Sequence, residues 1–253
     1  GNKAGMKLGD AGGGASDNDD HSSLNVALGF GALGGGDDTV ANNTARQNVA
    51  VGWHAVGGVT VDSDGTALTS RANTGVGYKA LEDVTSGGYN VAMGAEAGLN
   101  LTTGGSNVFV GISAGGNTTD VDKAVFIGAG AVTGVATSAA DGTIAIGYTA
   151  GQSLTSGGSN TVIGYQSGKA LTTSGNNIAI GYDSLLSAVD ACNSNVAIGV
   201  QSMRYVDRGS DGSATVNGNV AVGYNALAGG DFVSADKDLV GNIAIGKNTL
   251  DAT

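Results

Sequence analysis

The sequence predicts an all-β chain wound as a parallel β-solenoid. Two observations point there first. A five-residue unit of Asn, a β-branched residue, a small residue, an aliphatic residue and Gly recurs twelve times, at intervals of 17 to 25 residues. Gly supplies 47 of the 253 residues and Pro none. Glycine at that density excludes long helices, because each interior Gly costs about 1 kcal/mol relative to Ala. The missing Pro excludes collagen, and aromatic residues at 5% leave a thin core of Val, Ile, Leu and Ala.

The repeat is read from its closing glycines: Gly29, Gly52, Gly77, Gly94, Gly111, Gly128, Gly147, Gly164, Gly181, Gly199, Gly223 and Gly246. Ten of the twelve have Asn four residues earlier, the exceptions being Ala124 and Thr143, and every one has Ala, Ser or Thr three residues later. A period of this length is that of one solenoid coil. Within a unit such as Asn177-Ile178-Ala179-Ile180-Gly181, the aliphatic residues alternate with a small one at period 2, the signature of a strand. A strand this short is unstable alone, but parallel stacking at about 4.8 Å pairs its backbone and lays Ile on Ile in a ladder.

The closing Gly is expected to turn the chain through positive φ or to allow backbone packing on its neighbour. The Asn is expected at a corner, in a left-handed conformation, with its side chain hydrogen-bonded from coil to coil. Connectors such as Leu101-Thr102-Thr103-Gly104-Gly105 and Leu154-Thr155-Ser156-Gly157-Gly158 have turn composition and close the coil. About twelve coils give a rod of roughly 50 Å. A 17-residue coil holds only two or three apolar side chains per layer, so the apolar strand predicts a core shared between chains. Three parallel copies about an axis, a homotrimer, are the simplest closed arrangement. Residues 1–24 form a Gly/Asp-rich segment continuing from or capping the fibre, and 25–253 the solenoid.

Asn90-Val91-Ala92-Met93-Gly94-Ala95-Glu96-Ala97, Ile144-Ala145-Ile146-Gly147-Tyr148-Thr149-Ala150 and Asn177-Ile178-Ala179-Ile180-Gly181-Tyr182 resemble the head repeats of trimeric autotransporter adhesins. The variant with Tyr after Gly and a Leu-Thr-Thr-Gly-Gly connector is similar to repeats in viral tail-fibre and other attachment-fibre proteins. The resemblance covers about Asn25 to Thr249 and implies a left-handed β-roll. Its implied function is a non-enzymatic segment of a homotrimeric extracellular attachment fibre on a virion surface. The alternative it implies is the head of a bacterial autotransporter adhesin on the outer cell surface. Expected partners are other fibre or virion subunits and a cell-surface glycan or protein receptor.

The charge balance, 11 basic against 22 acidic residues for a net −11, with the basic residues scattered, argues against nucleic acid. No apolar stretch is long enough to insert in a membrane. Cys192 reads as a buried structural thiol. Segments 34–47, 57–72, 204–218 and 228–241 lengthen their coils and are expected to protrude. Two of them read as hairpins turning at Asp-Gly, Val59 to Leu68 and Tyr205 to Val216. Asp17-Asn18-Asp19-Asp20 and Asp62-Ser63-Asp64-Gly65 carry closely spaced oxygen ligands, but neither completes a Ca²⁺ loop, and a solvated acidic turn is the reading preferred for both.

Gly29-Phe30-Gly31-Ala32-Leu33-Gly34 spells a dinucleotide fingerprint without the helix it needs. Gly111-Ile112-Ser113-Ala114-Gly115 spells a nucleophile elbow, but Ser113 is a variable repeat position filled elsewhere by Thr149 or Gln166. The histidines, His21 and His54, join no recognisable triad, and His54 beside Trp53 reads as a surface or corner residue. No catalytic, metal or cofactor-binding residue is assigned.

Overall fold

In a computed structural model, which describes residues 7–8, 25–33, 46–57, 69–188, 192–206, 215–229 and 238–250, the chain is all-β and its parallel strands form a β-solenoid. It divides into two compact units, 1–123 and 124–253. The acidic turn at Asp17, the Asp62-Ser63-Asp64-Gly65 turn, His21, and most of the expected excursions lie outside the described residues. So does the body of each expected hairpin.

The first unit holds β1 (Lys7–Leu8), β2 (Val26–Leu28), β3 (Val49–Val51), β4 (Thr74–Val76), β5 (Val91–Met93) and β6 (Val108–Val110). From β2 to β6 each strand pairs in parallel with the next at the register of the repeat, Val26 on Val49 and Val91 on Val108. β1 instead pairs antiparallel with β2, placing Leu8 beside Val26, and so occupies the free edge of the first repeat.

The second unit holds β7 (Val125–Ile127), a 3₁₀ turn at Ser138–Ala140, β8 (Ile144–Ile146), β9 (Thr161–Ile163), β10 (Ile178–Ile180), β11 (Cys192–Asn193), β12 (Val196–Ile198), β13 (Val216–Asn217), β14 (Val220–Val222), β15 (Leu239–Val240) and β16 (Ile243–Ile245). β7 through β10, then β12, β14 and β16, stack in parallel, with Ile178 on Val196 and Val220 on Ile243. β11, β13 and β15 form a second parallel sheet. Val216, the last residue of one expected hairpin, therefore lies in a parallel sheet; the turn itself, 207–214, is outside the described residues.

The middle residue of each strand points inward. Ala50, Ala92, Ala145, Ala179, Ala197 and Ala221 are fully buried, whereas the flanking aliphatic residues look outward, Val26 at 42% and Leu28 at 52% exposed. The interior is completed from outside the strand, by the Ala or Ser three residues past the turn glycine and by large residues such as Leu101, Leu154, Leu171, Leu185 and Met203, all essentially inaccessible. Large residues are traded between positions. Where Phe109 replaces the middle alanine, Thr118 stands where other repeats carry Leu101, Leu154 or Leu171. Gly98 belongs to the same exchange, since a Cβ there would meet Phe109 Cδ2 at 2.7 Å. Large residues at one inward position are thus offset by small ones at another, as close packing demands.

The turn glycines adopt the expected positive φ. Gly164 has φ +134°, and a Cβ on it would overlap the carbonyl of Gly181 in the next coil. The expectation for the Asn is half corrected. Its side chain does bond from coil to coil, but the left-handed residue is the one before it: Gln47, Ala72, Tyr89, Ser106 and Asn176 have φ between 54° and 62°. The Asn, not itself left-handed, directs its amide along the stack after the residue before it has turned the corner.

Candidate interaction surface

Stacking in register turns each repeat position into a column on the surface. Two aliphatic columns come from the residues flanking the inward-facing one. They are exposed at 38% for Ile178, 36% for Ile198 and 69% for Ile243 in the second unit, and at 47% for Met93 in the first. A third column is the residue just after the turn glycine. In the second unit it contains Tyr148, Tyr165 and Tyr182, whose rings stack at 5.2 Å, the last pair within 7° of parallel. In the first it contains Trp53 and Tyr78, stacked at 5.0 Å and 10°. These rings remain about half exposed. Soluble monomers seldom show contiguous apolar area of this kind without a use for it.

The next column, two residues past the turn glycine, is polar: His54, Lys79, Glu96 and Ser113 in the first unit, all with φ between 51° and 59°. Here the ionisable side chains of His54, Lys79 and Glu82 converge. Glu82, only 5% exposed, accepts from Lys79 Nζ at 2.8 Å and lies 3.4 Å from His54 Nδ1. The hydrogen bond to Glu82 holds the Lys79 ammonium above the usual lysine range. Desolvation, and then the Glu82 charge, push the neighbouring Asp83 carboxyl up. Lys79 also lies over the Trp53 and Tyr78 rings, at 5.3 and 5.8 Å. In the second unit Asp183 pairs with Arg204 at 2.9 Å, and Arg204 lies over Tyr205.

His54 sits at a corner, its side chain one-fifth exposed and packed on Trp53 at 3.8 Å between ring centres. Ser113 Oγ donates to Glu96 at 3.2 Å, and Gly29 to Leu33 run into a turn. Cys192 is buried in β11. Among the described residues no three His, Cys, Asp or Glu side chains converge as metal ligands, and no helix is long and apolar enough to cross a membrane. β11, β13 and β15, which pair with one another, each follow a stretch outside the described residues, 189–191, 207–214 and 230–237. Thr215, just before β13, donates its N–H and Oγ to Asp238 at 2.8 and 2.7 Å, bonds that hold the Asp238 carboxyl below its usual range.

The aromatic column went unread in the sequence, although the Tyr after Gly was visible, because nothing local says that consecutive rings will share a face. The buried Glu82 carried no sequence signal at all. Comparison with protein-family models, curated proteins and solved structures yields no match.

Proposed function

We propose that this chain is a non-enzymatic structural segment of a homotrimeric extracellular attachment fibre, a viral tail or capsid fibre, that positions receptor-binding parts for adhesion to a host cell. In this reading each of the twelve repeats forms one coil of a left-handed β-roll. Three chains run in parallel, with other fibre or virion subunits at the ends and a surface glycan or protein as receptor. The chain works without cofactor, nucleic acid or membrane insertion.

The observation that carries the reading is the outward aliphatic ladder. Residues of the Ile178 and Ile180 type, spent on the outside of the coil in all repeat strands but those that begin with Thr74 and Thr161, are what a shared core between identical chains requires. The ladder runs along the stacking direction, so copies in parallel meet rung against rung, and threefold display raises the effective concentration of weak receptor contacts. Sedimentation equilibrium tests the assembly: a mass near three chains is expected, falling to one chain when Ile163, Ile180 and Ile198 are changed to Asp. A wild-type chain that stays monomeric at micromolar concentration overturns the trimer. Imaging of the intact assembly tests the rest. A rod leaving a capsid or tail supports the virion fibre, whereas a rod leaving a cell envelope supports an autotransporter head.

A further inference from the structure

In the first unit the column after the turn glycine reads Trp53, Tyr78, Ala95, Ile112 in successive repeats. Its register is fixed by the backbone: the N–H of Glu96 donates to the carbonyl of Tyr78 at 2.8 Å, and that of Ser113 to Ala95 at 2.9 Å. Trp53 covers one face of the Tyr78 ring. On the other side the next rung is alanine. Tyr78 and Ile112 are therefore separated by two coil rises, about 9.6 Å. Optimal contacts need about 3.5–4.0 Å on each side, so the gap admits one flat six-membered ring. Ile112, 63% exposed, is its far wall, and Met93, 47% exposed, precedes the turn of the coil that carries Ala95.

The polar column runs beside this step. Glu96 accepts from Ser113 Oγ through Oε2 and, as a carboxylate, keeps further lone pairs for donors. Lys79 uses one of its three N–H groups on Glu82. We infer that the step at Ala95 is a binding slot for one neutral pyranose ring of a saccharide. Stacked on Tyr78, such a ring sets its weakly positive C–H face against the negative face of the phenol. Its hydroxyls then meet acceptors on Glu96 and Ser113 Oγ and donors on Lys79. A purely aromatic occupant would give Glu96 no donor beyond Ser113. An anionic sugar would meet the Glu96 carboxylate and a chain of net charge −11. The slot is a property of one chain and goes beyond the assembly proposed above.

The test titrates the full chain with maltohexaose, cellohexaose and mannohexaose, reading calorimetry and saturation transfer to the sugar protons. At least one is expected to bind, with saturation strongest at ring C–H protons. Ala95→Tyr supplies the missing rung: it should raise the melting temperature and weaken binding by about tenfold or more. Glu96→Gln should weaken it by about threefold, through loss of charge-assisted bonds to hydroxyls. No binding of any of the three, or binding unchanged in Ala95→Tyr, overturns the slot. Mass is read in parallel. If Ala95→Tyr lowers the association state and no saccharide binds, the slot belongs to a neighbouring copy and the inference falls. If the saccharide binds a chain that sediments as one copy, the slot stands and the trimer falls.

Discussion

Asn177 donates both its backbone N–H and its side-chain Nδ2 to Oδ1 of Asn160, at 3.0 and 3.1 Å, and its Oδ1 in turn accepts the same pair from Asn195. All three residues are buried. One amide thereby satisfies three neighbours, since Nδ2 also reaches the carbonyl of Cys192 at 2.7 Å. In the first unit the same pattern links Asn73, Asn90 and Asn107.

Removing one rung should be costly. Asn177→Ala takes both donors' partner from Asn195 and one donor from Asn160, and buried polar groups left unsatisfied cost about 1–3 kcal/mol each. The expected loss is about 2–4 kcal/mol, read from the urea midpoint. A loss under about 0.5 kcal/mol, the scale of a surface substitution, would show that the ladder is decoration.

The opposite change should stabilise. Thr143 stands where most repeats have Asn, and its hydroxyl reaches Asn160 N–H and the Gly157 carbonyl only at 3.3 and 3.5 Å. Thr143→Asn restores an acceptor for both donors of Asn160 and should add about 1 kcal/mol. Thermal unfolding should rise by about 2–4 °C.

Two classes of positive-φ glycine should separate. Gly164→Ala forces a Cβ into the backbone of the next coil and should prevent ordered stacking, seen as loss of β-sheet circular dichroism. Gly218→Ala, at φ +66° with nothing within 4 Å of the new Cβ, meets only the left-handed penalty of about 1–2 kcal/mol.

The interior exchange predicts compensation. Phe109→Ala alone opens a cavity at about 3–5 kcal/mol. Adding Thr118→Leu recreates the pairing of Ala92 with Leu101 in the preceding repeat, and should recover a large part of that loss. A double mutant no more stable than Phe109→Ala would disprove the exchange.

Acid should loosen the contact between Thr215 and Asp238. The folded Asp238 carboxyl is held below its unfolded value by Thr215, so its contribution is present above the ordinary carboxylate range and is lost as pH falls through the depressed folded value. The Thr215 amide resonance should titrate in that acid window, and Asp238→Asn should abolish the step.

Much of the fold was legible because its strongest requirements are local. A turn glycine at positive φ and an alternation at period 2 leave their mark in every repeat, so strand and turn follow from a unit such as Asn177 to Gly181, and coil length from the spacing of the closing glycines. The Asn ladder was legible for the same reason, except that the left-handed bend fell to the residue before it. Alternation does not say which face of the strand is inside, and only the tertiary structure decided that Ala179 is buried while Ile178 is exposed. The reason is volume: a coil this narrow closes around one small residue per strand plus one large residue borrowed from a connector, and the aliphatic pair has no room within. Where the large residue sits, which rings stack, and that Glu82 lies buried between His54 and Lys79 depend on neighbours a coil away, which no five-residue pattern contains.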